Sequence, residues 1–170
     1  MSFLSALVSF DSISLADLNR CLVAWQHKMG PWERPDYKRA RFFGMRHDGE
    51  LVAVLASDQL MREKCGGLTR DEAFELGRVC AVREHLNRAA LRLWREFVFP
   101  ALCREHGWQW VISYQDAALH SGDLYRFDGW VRLGFSHSGT DQRSGKRGRD
   151  KVIWGWHADL STRRAAQVSA

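Results

Sequence analysis

Residues 108–134 read WQWVISYQDAALHSGDLYRFDGWVRLG, and this stretch decides the fold. Trp108 to Tyr114 is dense in aromatic and β-branched residues, the composition of a buried strand. Leu119 to Phe127 is spaced for a short helix, and Trp130 to His137 returns as a strand after Gly129. Asp116 and His120 then stand just past a strand end, where sites in open α/β sheets gather.

Upstream, Phe74 to Val82 (FELGRVCAV) reads as another buried strand. Asn87 to Arg104 carries Ala90, Leu91, Trp94, Phe97 and Val98 at helical spacing, with Gly107 as a stop. Ser14 is a good N-cap for a first helix bearing Leu15, Leu18, Leu22 and Trp25, expected to end near Met29-Gly30-Pro31. A loop from Trp32 to Lys38 follows it. Arg41 to Met45 and Leu51 to Ala56 flank Asp48-Gly49, a strong hairpin signal, and Cys65-Gly66-Gly67 reads as a turn.

Downstream, Val152 to His157 is the last strand. Ser138 to Asp150, rich in Gly, Ser and basic residues, is expected to be an exposed hairpin tip. The order predicts an α/β domain with a mixed sheet over residues 1–160. The tail 161–170 is expected to fray.

Composition narrows the function classes. The chain has 170 residues, 45% of them hydrophobic, which fits one globular domain and argues against intrinsic disorder. Lys and Arg number 25 against 20 Asp and Glu, a formal charge of +5. No apolar run reaches the roughly 18 residues of a membrane span. Asp11 cuts short the apolar start, and no basic n-region precedes it, so a cytoplasmic protein without a membrane partner is expected. Cys21, Cys65, Cys80 and Cys103 are too dispersed for a zinc clip and fit free thiols in a reducing compartment. The sequence has no GxSxG elbow, no phosphate-binding P-loop and no dinucleotide fingerprint, so nucleotide hydrolysis and hydride transfer find no support.

Leu124-Tyr125-Arg126-Phe127-Asp128-Gly129-Trp130 through Gly134 resembles the LYxxxGF…G segment of GNAT acyltransferases. That resemblance implies a mixed, mostly antiparallel sheet flanked by helices, and acetyl-CoA or another acyl-CoA-like donor. It places Tyr125 beside the acyl-CoA sulfur, where a positioned acid eases departure of a thiolate. It also implies that backbone amides at Val79, Cys80, Ala81 and Val82 polarise the thioester carbonyl. The helix start at Arg83, Asn87 and Arg88 would then receive the pyrophosphate. Leu86 and Arg88 stand where that family's loop has glycine or alanine.

A second set of motifs is similar to the phage Mom family, GNAT-related proteins that modify adenine in DNA. These are Glu75-Leu76-Gly77-Arg78, Asn87-Arg88-Ala89-Ala90, Ser113-Tyr114-Gln115-Asp116, and His120-Ser121-Gly122 with Tyr125. Trp25-Gln26-His27 with Pro31 answers to an early W-H-Y stretch, although Lys28 replaces its Tyr and Gly77 a Ser or Thr. The resemblance implies double-stranded DNA as partner, an exocyclic amine as acceptor, and Tyr125, Asp116, His120 and Arg78 as catalytic residues. It implies that His27, Ser113, Tyr114, Ser121, Arg143, Lys146, Arg147 and Arg149 contact substrate or DNA. Its carbamoylmethyl product leaves the donor open.

Each residue also has a plainer reading. Arg78 sits in an apolar strand, where it must pair with a carboxylate such as Glu75 or Asp116, or point into a cleft. Asp116 could cap a helix, and His27 could serve the dipole of the first helix end. Trp32 could stack on a base or cover the core. No His spacing supports a metal site. Three functions follow as expectations: a DNA-modifying transferase, an ordinary N-acetyltransferase of a small amine or peptide, and a non-catalytic GNAT-derived DNA-binding protein.

Overall fold

The computed structural model describes residues 7–34, 39–137, 139 and 148–169. They form two compact units, one from the chain up to Gln59 with Leu76–Leu102, the other from Leu60–Glu75 with the chain from Cys103 onward.

The first unit opens with strand β1 (Val8–Ser12) and helix α1 (Leu15–Ala24), followed by β2 (Arg41–His47) and β3 (Glu50–Gln59). β1 pairs antiparallel with β2, in register Phe10↔Met45, and β2 pairs antiparallel with β3. Asp48 and Gly49 both take positive φ, 49° and 83°, which is the two-residue hairpin geometry the pair predicts. β1 was not anticipated, although Val8-Ser9-Phe10 alternates and the Phe10 ring stacks on Phe43 at 5.9 Å.

Ser14 caps α1, accepting from the Asp17 N–H at 3.0 Å. The helix stops at Ala24, short of the expected Met29-Gly30-Pro31, because Gln26 turns to φ 53° and the His27 N–H returns to the Leu22 carbonyl at 2.9 Å. The loop beyond is tied back by Asn19, whose Oδ1 accepts from the Trp32 N–H at 2.7 Å. Trp32 is therefore core, packed with Leu18, Leu22, Val54 and Cys80, and does not present a free stacking face.

β4 (Lys64–Cys65) and β5 (Leu68–Thr69) form a small antiparallel hairpin in the second unit. β6 (Ala73–Ala81) gives its first three residues to the second unit and the rest to the first, where it neighbours β3. The expected long helix begins at Glu84, three residues early, as α2 (Glu84–Leu93). It continues through a π turn (Trp94–Val98) into α3 (Phe99–His106). Pro100 explains the π turn: it has no N–H to give the preceding turn, and its ring would crowd the carbonyl four residues back.

In the second unit β7 (Trp110–Asp116) runs parallel to the start of β6 and antiparallel to β9 (Lys151–His157). β9 in turn pairs antiparallel with β8 (Val131–Ser136), giving the order β6-β7-β9-β8. The expected helix over Leu119–Phe127 is reduced to α4 (Asp123–Arg126). Asp116 is the reason: its Oδ1 accepts from the Ala118 N–H and its carbonyl from the His120 N–H, closing a turn, and Gly122 then breaks direction at φ 82°. Leu60, Ala73, Trp110, Ile112, Val131, Leu133 and Ile153 form the core of this unit.

Most of the 161–170 segment expected to fray lies in helix α5 (Leu160–Ser169). Asp159 caps it, accepting from the Thr162 N–H and hydroxyl at 2.9 and 2.6 Å. Arg163 lies over the Trp156 ring at 4.7 Å and donates to the His157 carbonyl.

Candidate active site

Alternation along β7 sends Ser113 and Gln115 to one face and Tyr114 to the other. The Ser113 face is where α4 delivers Tyr125. The two hydroxyls lie 2.8 Å apart, and either can donate to the other. Tyr125 is 8% exposed, its ring stacked on Trp154 at 5.8 Å and meeting the edge of Trp130 at 5.2 Å. The Trp130 indole is itself held by the buried Asp128 carboxylate at 3.1 Å. Burial pushes the Tyr125 phenol up from its ordinary range, with the Ser113 bond pulling the other way. At neutral pH it is a phenol, a proton donor held in one place.

Gln115 completes this face. Its Oε1 accepts from the Trp154 indole at 2.6 Å, and its Nε2 donates to the His120 carbonyl. Neither Gln115 nor Trp154 was anticipated. The available signal was the two-residue period from Ser113, which places a buried polar side chain beside it.

Tyr114 does not join this group. It packs against the core with its hydroxyl 2.8 Å from the Cys65 sulfur, and burial drives its phenol upward as well. Asp116 is a turn-forming residue in an ion pair with Arg149 at 3.0 Å. His120 and Ser121 are exposed; the Ser121 hydroxyl accepts from the Asp123 N–H at 3.3 Å and so helps to start α4. Beside the Asp116–Arg149 pair, Ala117, Ala118, Phe135, Gly148, Arg149 and Asp150 line an open hollow of about 420 Å³. Arg143, Lys146 and Arg147 lie outside the described residues.

The remaining candidates belong to the first unit. Val79 and Ala81 are partly exposed. Cys80 is buried with its thiol pushed up to about 11, which makes it a core residue. Val82 is half exposed, and its N–H is committed to the Val52 carbonyl at 2.9 Å. Arg83 is the N-cap of α2, which has no side-chain cap hydrogen bond; the Leu86 N–H closes on the Arg83 carbonyl at 3.0 Å, and Arg83 and Arg88 are exposed. Asn87 Oδ1 is buried without a hydrogen-bond partner among the described residues.

Arg78 donates to the Gly77 carbonyl at 2.8 Å and lies 5.3 Å from the Trp32 ring centroid. Arg34 lies over the same indole at 4.4 Å and approaches the buried Asp58 carboxylate at 3.7 Å. His27 Nδ1 accepts from the Met29 N–H at 3.3 Å, a local turn contact. Among the described residues no group of three or more His, Cys, Asp or Glu could hold a metal ion, and no helix is long and apolar enough to cross a membrane.

No protein-family model and no curated protein matches the chain. Solved structures do. The ribosomal-protein-S18-alanine N-acetyltransferase of Escherichia coli is similar at 17% identity and TM-score 0.59, covering 88% of this chain and 93% of its own. A probable acetyltransferase of Staphylococcus epidermidis reaches TM-score 0.63 at 12% identity, covering 89% and 99%. A GNAT family acetyltransferase of Elizabethkingia anophelis, solved with acetyl-CoA bound, gives TM-score 0.53 at 8% identity, covering 90% and 99%. At these identities the likeness is one of fold: the chain has the mixed, mostly antiparallel α/β fold of the GNAT acetyltransferases.

Proposed function

We propose that this protein is an acyl-CoA-dependent transferase that acylates an amino group, and that its acceptor is the exocyclic amine of a base in duplex DNA. The observation that carries the transferase reading is the Ser113–Tyr125 pair, a buried phenol kept protonated on the acetyltransferase fold. A neighbour solved with acetyl-CoA supports the donor class.

The residues present suit such a donor. The start of α2, without a side-chain cap, would offer N–H groups to a phosphate, and exposed Arg83 and Arg88 add positive charge. An acyl thioester supplies an activated carbonyl and a thiol leaving group. The protein's part is to hold and move the proton. In the productive orientation the Ser113 hydroxyl donates to the phenol oxygen, which leaves the Tyr125 O–H free to donate to the departing sulfur. The exposed His120 is assigned to the acceptor amine, which it would orient or deprotonate, whereas both oxygens of Asp116 are engaged by the Ala118 N–H and Arg149. An aromatic amine is a weak nucleophile, so positioning carries much of the rate.

The choice of DNA rests on the resemblance to the Mom family, supported by the convergence of two of its motifs in the Ser113–Tyr125 hydrogen bond. Exposed Arg149 and the +5 charge suit a phosphate backbone. A second reading, N-acetylation of a small amine or peptide, draws on the Escherichia coli neighbour named for a ribosomal-protein alanine.

The test has two stages. Saturating acetyl-CoA should stabilise the protein, by about 2.7 kcal/mol at a hundred times its Kd. Mass analysis of nucleosides from duplex DNA incubated with protein and donor should then show an adduct on the base. No stabilisation at millimolar donor refutes the transferase reading. Stabilisation with labelled peptide or amine but unmodified DNA selects the second reading.

A further inference from the structure

We propose that Gln115 is a positioning residue, whose single amide fastens the Trp154 ring stacked on Tyr125 and the loop that leads into α4, and so fixes the direction in which the phenol gives its proton. The inference rests on the transferase reading above. Position 115 is the unspecified position of the S-Y-x-D motif.

Chemistry fixes the orientation of the amide. The Trp154 indole can only donate, so it must face the Gln115 oxygen; the His120 carbonyl can only accept, so it must face the nitrogen. Flipping the amide would break both bonds. Gln115 is 6% exposed, so each broken bond would leave a buried polar group without water.

The two partners are two of the supports of Tyr125, beside Trp130 at its ring edge and Ser113 at its hydroxyl. Trp154 lies nearly parallel to the phenol ring, with an interplanar angle of 19°. The His120 carbonyl fixes the strand of loop entering Gly122, and the Gly122 carbonyl receives the Tyr125 and Arg126 N–H groups at 3.1 and 3.0 Å. There is no slack between them: a Cβ on Gly122 would sit 2.5 Å from Gln115 Oε1 and 2.8 Å from Trp154 Cζ2. Displacing the amide therefore moves the stacking ring, the helix start, or both.

Gln115→Glu is the informative substitution, being nearly isosteric. It still accepts from the indole, but its second oxygen opposes the His120 carbonyl and cannot donate. With acetyl-CoA and acceptor, kcat should fall roughly tenfold or more while KM for acetyl-CoA stays within about twofold. The loss should shrink as pH falls, because a protonated glutamic acid can again donate to the carbonyl. In a Tyr125→Phe background Gln115→Glu should cost little further, since both act through one proton. Trp154→Phe, which keeps the ring and removes the indole donor, should lose activity in the same pattern.

A loss that adds in full to that of Tyr125→Phe, or a wild-type kcat in Gln115→Glu, overturns the proposal. If the wild type turns over no acyl-CoA, the transferase reading fails on its own, and amide exchange decides the structural half. Asp123 to Arg126 should exchange roughly tenfold faster in Gln115→Glu, and unchanged exchange there overturns the tether.

Discussion

Gly122→Ala is expected to destabilise the protein through two separable costs, and Gly129→Ala isolates one of them. Both glycines hold nearly the same backbone angle, φ 82° and 81°. An L-residue in that region costs about 1–2 kcal/mol. At Gly129 nothing lies within 4 Å of an added Cβ, so that is the whole cost. At Gly122 the methyl would meet Gln115 Oε1 at 2.5 Å and Trp154 Cζ2 at 2.8 Å. One of those groups must yield, at an overpacking cost of about 1–3 kcal/mol. The expected difference is therefore roughly 2 kcal/mol, which for a chain of this length lowers Tm by about 6 °C more at position 122 than at 129. Paired thermal melts of the two variants measure it, with near-ultraviolet circular dichroism following the Trp154 environment. Equal losses at the two positions would refute the reasoning, because they would mean that Gln115 and Trp154 give way freely.

Tyr125→Phe should lower turnover by roughly a hundredfold, and Ser113→Ala should lower it in the same direction, with acetyl-CoA stabilisation retained in both as the check on binding. Burial raises the phenols of Tyr125 and Tyr114. Both stay protonated in the folded chain while the unfolded chain ionises above about pH 10, so the unfolded state binds fewer protons there and stability falls as pH rises. Urea denaturation at increasing alkaline pH should show this decline, and Tyr114→Phe should flatten it. Asp159→Ala should fray α5, read as faster amide exchange over residues 160–167, because four contacts to Ser161 and Thr162 disappear. If DNA binds, Arg149→Ala should reduce the slope of log K against log salt by about one.

The sequence was most legible where chemistry and periodicity agree. Asp48-Gly49 marked a hairpin that both φ angles match, and FELGRVCAV marked the strand that became β6. It was least legible where a side chain overrode periodicity. The Leu15–Trp25 stripe extends past the helix, but Gln26 enters the left-handed region and Asn19 pulls Trp32 into the core. Leu119 to Phe127 is helical in spacing, yet Asp116 captures the Ala118 N–H and postpones the helix to Asp123. At the site, Ser113 and Tyr125 could be linked from sequence only through a motif. Gln115 and Trp154 stand 39 residues apart, and their contact depends on the pairing of β7 with β9, which neither segment encodes alone.

The depth at which Tyr125 sits sets a condition on the proposed transfer. A phenol raised above its usual value near 10 is a weaker acid than an alkyl thiol near 8.5, so proton transfer to a thiolate runs uphill by at least about 2 kcal/mol. Burial alone makes that worse, since a phenolate left among Trp130 and Trp154 is poorly solvated. Ser113 is the group placed to offset it. A hydroxyl donating to a phenolate forms a charge-assisted bond about twice as strong as the neutral one it replaces, so its stabilisation grows as the proton leaves. On the proposed transfer the pair would therefore act in the transition state more than in the resting protein. In the proposed transfer Tyr125 would keep its proton until a basic sulfur is present, and Ser113 would ease that step without lowering the phenol so far that it ionises beforehand. The positioning role proposed for Gln115 follows the same logic, because a weak acid is useful only while its O–H points along one line.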